Sequence, residues 1–321
     1  MPRNSLHLVD PELRWLVDAL PDIELTAELL PMARAQPMQL PPQPDATSTV
    51  HKDVVRVRGP AGAPDIELLV YRPVDAQGEL PCIYHVHGGG YVMGSARDEE
   101  VILRPLAAEL GCVLVDVEYR LAPETRFPGN VEDCYAGLTW LTKNASSLGV
   151  DASRIGVMGE SAGGGLAAAL ALLARDRGDT HLAFQVLVYP MLDDRTCANA
   201  DPHPYTGEFV WTPANNRFGW SCLLGVEPGS DGVSPYAAAA RATDLTGLPP
   251  TFISTAALDL FLEEDLDYAR RLLRAGVPVE LHVYAGAYHG YDFFTTAEVG
   301  VESRRVMMRY LRRALHGAPA R

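Results

Sequence analysis

Lysine is almost missing from this chain. It stands at positions 52 and 143 only, every other basic residue apart from histidine being arginine, a bias read here as genomic base composition. The 27 basic side chains face 41 acidic ones, for a net charge of −14. That balance argues against nucleic acid or an anionic membrane surface as a partner. No run of about 18 uncharged apolar residues occurs, so no membrane span is expected. The opening MPRNSLHLVDPELRWLVDAL has no continuous apolar segment leading to a small-residue cleavage site, and does not read as a signal peptide. The five cysteines (82, 112, 134, 197 and 222) are scattered, odd in number and free of CxxC or Cys/His metal spacing. Reduced thiols, mostly serving as small core hydrophobes in a cytoplasmic protein, are the expectation. The absence of a repeat of about 20–50 residues excludes a solenoid or propeller.

What the chain does have is apolar mass, 47% of its 321 residues, organised in alternation. Apolar, β-branched runs stand at 54–57, 66–71, 82–86, 113–117, 155–158, 184–189, 251–254 and 279–284. Helical patterns separate several of them, at 99–109, 131–142, 162–175 and 264–274, with a last one at 302–315. Strand–helix alternation with nearly continuous apolar strands predicts a mostly parallel, eight-stranded sheet flanked by helices, with its first two strands antiparallel. Residues 1–48 break that rhythm, with short helical patterns at 11–20 and 26–36 around the proline-rich QPMQLPPQPD. Residues 193–240 break it again, with aromatics, prolines and glycines in place of strands. The two pieces are expected to form a helical cap over a catalytic core of residues 49–192 and 241–321.

Two glycine-rich turns carry the chemistry. The strand at 155–158 runs into GESAGGG and then a helix, which is G-x-S-x-G (Gly159 to Gly163) in a strand–turn–helix setting. There the glycines relieve a turn too sharp for Cβ atoms, and Ser161 meets the positive end of a helix. The alternative, an N-cap serine in a close-packed turn, explains the pentapeptide alone. A nucleophilic serine, however, needs backbone donors aimed at the oxyanion it creates. One is the N–H of Ala162; the HGGG turn after the third strand (His87 to Gly90) offers Gly88 and Gly89 as the others. His85 and His87, two apart on a strand, could form a metal pair, but no third ligand of suitable spacing is evident. No metal and no cofactor is therefore expected, and His87 is read as hydrogen-bonding its own loop.

A base and an orienting acid should follow the serine in chain order. His289, in the loop AGAYHGYDF after the last strand, is the best-placed histidine, and Asp259 stands at a strand tip on the carboxyl edge of the sheet. The acids after it (Glu263, Glu264, Asp265 and Asp267) read as first-turn residues facing a helix dipole.

With these residues placed, the chain resembles the hormone-sensitive-lipase-like (family IV) esterases of the α/β-hydrolase fold, and most nearly the bacterial branch that includes a heroin esterase. The resemblance runs from about Val50 to the C-terminus through HGGGY, VEYRLAPETRFPG, GESAGG, RATDLTGLPPTFIST and AGVPVELHVYAGAYHG. It implies a serine carboxylesterase acting through an acyl-enzyme on a small-molecule ester, with the triad Ser161, Asp259 and His289 and the oxyanion donors Gly88, Gly89 and Ala162. It also implies a short-acyl pocket walled by Tyr91, Phe209 and Trp211, support of the HGGG loop by YRLAPE, and a homodimer. The family pattern Asp-Pro-Leu is here Asp259-Leu260-Phe261, and Glu263 replaces an aspartate, which makes Glu263 the fallback acid. Amide or N-acetyl hydrolysis by the same triad, or a silent ligand-binding receptor, are the rival readings.

Overall fold

The structure, a computed structural model, describes residues 4–19, 23–36, 44–293 and 296–317. Its helices are α1 (Arg14–Ala19), α2 (Leu30–Ala35), α3 (Glu100–Leu110), α4 (Gly129–Lys143), α5 (Ala162–Arg177), α6 (Pro213–Leu224), α7 (Leu262–Arg274) and α8 (Glu298–His316). Its strands are β1 (Val50–Val57), β2 (Ile66–Pro73), β3 (Leu80–Val86), β4 (Val113–Glu118), β5 (Val150–Glu160), β6 (Gln185–Val188), β7 (Thr251–Ala256) and β8 (Val279–Tyr284). All eight strands form one sheet in the order β1-β2-β4-β3-β5-β6-β7-β8. β2 runs antiparallel to β1 and β4, and every other neighbouring pair is parallel.

Helices on both faces explain why the central strands are apolar without alternation: β4, β6 and β7 are buried almost end to end. The pleat still divides their side chains between two layers. Leu68 and Val70 join the apolar layer with α4 and α5, whereas Leu69 and Tyr71 join the layer with α3 and α8.

Element boundaries move where pairing overrides local signal. β1 starts at Val50 rather than at position 54, because His51, Lys52 and Asp53 pair with Arg72, Tyr71 and Val70 along the hairpin. Its polar residues are tolerated because the strand is an edge. The helical pattern at 11–20 contracts to α1, with Leu20 outside the described residues, and the one at 26–36 contracts to α2. Most of QPMQLPPQPD also lies outside them.

Residues 193–240 carry α6, which Thr212 caps by accepting the Asn215 N–H and Gly225 ends in a left-handed turn. The segment closes at its stem, where Arg241 donates from Nε and Nη2 to the two carboxylate oxygens of Asp194. The N-terminal arm reaches this segment at two points. Ser5 donates from its backbone and its hydroxyl to Glu208, and Asn215 receives Leu25 N–H while donating to Ile23 O. The arm also ties to the core, through Asp10 N–H to Gly286 O and the Tyr288 hydroxyl to Leu13 O.

Candidate active site

β5 ends at Glu160 and α5 begins at Ala162, so Ser161 alone makes the turn between them. Its φ and ψ of 55° and −122° lie in territory that residues with a side chain rarely adopt, and strain of that kind concentrates at functional sites. Two bonds hold it there: Ser161 N–H donates to Val188 O at 2.9 Å, and Met191 N–H donates to Ser161 O at 2.9 Å. The turn is compressed enough that a Cβ on Gly163 would overlap the Val86 carbonyl oxygen. The glycines of G-x-S-x-G are thus required by backbone against backbone.

His289 approaches from the loop after β8. Its Nε2 lies 2.9 Å from Ser161 Oγ, and its Nδ1 lies 2.8 Å from Asp259 Oδ2. Asp259 stands just beyond β7, with its Oδ1 accepting Phe261 N–H at 3.0 Å. A carboxylate at Nδ1 keeps the imidazole proton there and presents the Nε2 lone pair to the serine hydroxyl. Asp259 is 1% exposed, whereas Ser161 at 8% and His289 at 7% keep a sliver of accessible surface. Glu263, the fallback acid, is exposed on the first turn of α7.

The HGGG turn lies beside the serine: a Cβ on Gly88 would come 3.6 Å from Ser161 Cβ. Among the described residues no acceptor takes the N–H of Gly88, Gly89 or Ala162. His87 Nδ1 lies 2.9 Å from Gly88 O, and its ring stacks on Tyr119 at 4.2 Å. Burial pushes His87 down to about 4, against the pull of that carbonyl. The imidazole is therefore neutral at pH 7 and donates from Nδ1. Tyr119 adds its own hydroxyl to His87 O, and Ala122 N–H donates to Tyr91 O, so the YRLAPE stretch braces the loop.

His85 does something the sequence did not disclose. It is fully buried, with Nδ1 2.9 Å from Asp116 Oδ1 and Nε2 2.8 Å from Glu160 Oε2. Burial alone would lower its proton affinity, but the carboxylates of Glu160 and Asp116 outweigh it and raise it well above the ordinary range. Glu160, the residue before Ser161, is thereby tied to the middle of the sheet.

The acids of α7 do not all face its dipole as expected. Glu263 and Asp267 are exposed, but Glu264 and Asp265 are buried. Glu264 accepts Leu192 N–H at 2.6 Å, Asp193 N–H at 3.1 Å and the Thr196 hydroxyl, pinning the start of the 193–240 segment. Tyr91, Phe209 and Trp211, expected around the acyl pocket, separate. Trp211 lies 6.4 Å from the His289 ring and so close over Gly90 that a Cβ there would overlap its ring. Phe209 packs on Tyr288 at 5.4 Å. Tyr91 is fully buried, donates to Met191 O at 2.8 Å and tilts against Trp220 at 5.0 Å.

Comparison with known proteins gives a consistent result. A family model described as the alpha/beta hydrolase fold matches residues 83–293. Carboxylesterase NlhH of Mycobacterium tuberculosis is 35% identical over 314 residues, covering 96% of this chain and 97% of the relative. Esterase LipI of the same organism is 32% identical over 321 residues, covering 96% of each. Among solved structures, a bacterial heroin esterase superposes with a TM-score of 0.90 at 39% identity, covering 98% of this chain and 100% of its own. No described helix is long and apolar enough to cross a membrane.

Proposed function

The chain belongs to the α/β-hydrolase family and is a carboxylic-ester hydrolase, and from that premise we propose that Ser161, His289 and Asp259 are its catalytic triad, acting on short-chain acyl esters. The observation that carries this reading is the unbroken line from Asp259 through His289 to Ser161, with links of 2.8 and 2.9 Å.

Ser161 Oγ attacks the ester carbonyl as His289 Nε2 takes its proton. The charge that develops on the carbonyl oxygen is met by the N–H groups of Gly88, Gly89 and Ala162, the last aided by the dipole of α5. Collapse of the tetrahedral intermediate expels the alcohol, which takes the proton from His289 and leaves the acyl group on Ser161. Water, deprotonated in turn by His289, attacks the acyl-enzyme and releases the acid. Protons and charges balance within these residues, with no step that calls for a metal ion or cofactor.

Short acyl chains are favoured because Trp211 lies over Gly90 and limits the space beside the oxyanion donors. Residues 1–48 and 193–240 are the cap in this reading, supported by the contacts of Ser5 and Leu25 with Glu208 and Asn215. A cytoplasmic location accords with five free cysteines. A homodimer accords with the edge position of β8, whose Val283 is 45% exposed. The test is a series of p-nitrophenyl esters of increasing acyl length, with Ser161→Ala run in parallel. Turnover of short chains that vanishes in the variant supports the reading; a folded wild type that binds esters without turning them over ends it.

A further inference from the structure

Two hydrogen bonds hold the His289 ring, at Nδ1 and at Nε2, and neither stops it rocking about the line through those two nitrogens. Aromatic rings take up that freedom. Phe261 meets the imidazole edge-on at 5.3 Å and 86°, and Tyr189 meets it at 4.7 Å and 61°. Phe261 belongs to the acid loop, where its N–H already bonds Asp259. Tyr189 belongs to neither the acid loop nor the base loop.

Tyr189 is held from every side. It is 1% exposed, with a φ of 35° that a residue bearing a side chain seldom adopts. Its N–H donates to Ser254 O at 2.6 Å, while Val188 before it and Met191 after it supply the two bonds that hold the Ser161 backbone. Its hydroxyl donates to Asp292 Oδ1 at 2.6 Å, and Asp292 sits three residues after His289. A backbone strained in this way persists where the surroundings over-determine it, which is common beside reacting groups.

We infer that Tyr189 and Asp292 act as one positioning unit for His289, the ring fixing the imidazole plane and the carboxylate favouring the imidazolium that forms when Ser161 gives up its proton. The inference rests on the triad reading. A phenol that donates to a carboxylate is polarised by it, and the negative charge behind the ring favours a cation packed beside that ring. The carboxylate is half-buried and lines a small, partly open pocket of about 70 Å³. Facing it are Tyr189 beyond β6, Glu160 from β5, Glu99 from the turn before α3, Arg304 from α8 and His289 from its own loop. Burial pushes Asp292 up to about 6, against the bond from Tyr189, so it carries its charge above that pH. Glu160 is already paired with His85.

The experiment is the pH profile of kcat/KM on p-nitrophenyl acetate for wild type, Tyr189→Phe, Asp292→Asn and the double variant, each first checked for folding by circular dichroism. Tyr189→Phe keeps the ring and removes only the hydroxyl. Both single variants should lower kcat with KM held within about twofold. Both should also move the acid limb to lower pH by about half to one unit: Asp292→Asn removes the facing carboxylate, and Tyr189→Phe removes the hydrogen bond that keeps that carboxylate ionised. The double variant should shift no further than the larger single one, as expected of residues acting as a unit. An acid limb that stays in place in the folded single variants, or shifts that add in the double, overturns the inference; if Asp292→Asn does not fold, Tyr189→Phe decides alone. Ser161→Ala, run beside them, separates the readings. Turnover surviving there sinks the triad, whereas turnover lost there with an unmoved acid limb sinks only the Tyr189–Asp292 unit.

Discussion

Arg241 grips Asp194 with two nitrogens, at 2.6 and 2.8 Å, across the two ends of a segment of nearly fifty residues. The carboxylate is fully buried and also accepts Gly229 N–H at 2.7 Å. Removing one partner of a buried pair leaves the other charge uncompensated, at a cost of about 3–5 kcal/mol. Asp194→Asn should therefore lower Tm by about 5–10 °C. A calorimetric drop of less than ~2 °C would show that the stem is held by its other contacts.

The acid should matter through orientation. Asp259→Asn keeps the size of the side chain but no longer demands a proton on His289 Nδ1, and kcat should fall by about 10⁴-fold with KM little changed. Glu263→Gln, on the exposed side of the same turn, should leave kcat within about twofold. A large loss in Glu263→Gln together with a small one in Asp259→Asn would reassign the acid.

His87 makes a prediction about stability rather than rate. Its ordinary value of 6.5 falls to about 4 in the folded protein, so the stability gained by keeping it neutral is complete above 6.5, falls between 6.5 and 4, and is gone below 4. The loss amounts to about 3 kcal/mol. Buried carboxylates such as Asp116, raised to about 6, titrate in the same range with the opposite sign, so the comparison must be differential. Asn at position 87 can reproduce the bond to Gly88 O without titrating. Urea unfolding at pH 7 and pH 4 should show wild type losing about 3 kcal/mol relative to His87→Asn. Parallel losses in the two proteins would refute it.

Trp211 should set chain length. Its Nε1 donates to Asn216 Oδ1 at 3.1 Å, which fixes the ring over Gly90. Trp211→Ala should move the preferred acyl group of p-nitrophenyl esters to longer chains, by about two to four carbons, while lowering kcat/KM for acetate. An unchanged chain-length profile would remove Trp211 from the pocket wall.

The residues proposed as nucleophile, oxyanion donors, base and acid stand out in the sequence because each such role demands particular residue types at the carboxyl end of a strand, where a parallel sheet gathers its loops. His85 does not. Its partners lie 31 and 75 positions away and meet it only because β3 sits between β4 and β5, which puts Asp116 level with it. Glu264 was hidden differently, among four acids that look alike in composition. The helical stripe of Glu264, Asp265, Tyr268, Ala269 and Leu272 marks the buried face, and that periodicity was available. α6 had its punctuation, Thr212-Pro213 before it and Gly225 after, but its interior of asparagines, glycine and serine hides the apolar face that usually announces a helix.

The arm and the segment it touches also impose an order of events. Ser5 leaves the ribosome 203 residues ahead of Glu208, and Leu13 precedes Tyr288 by 275. The sheet can begin to assemble in between, while Ser5 and Leu13 wait for those partners. Glu208 can be met before Asp259 and His289 have been made, whereas the bond from Tyr288 comes only with the loop that carries His289, so the arm is fastened in two stages.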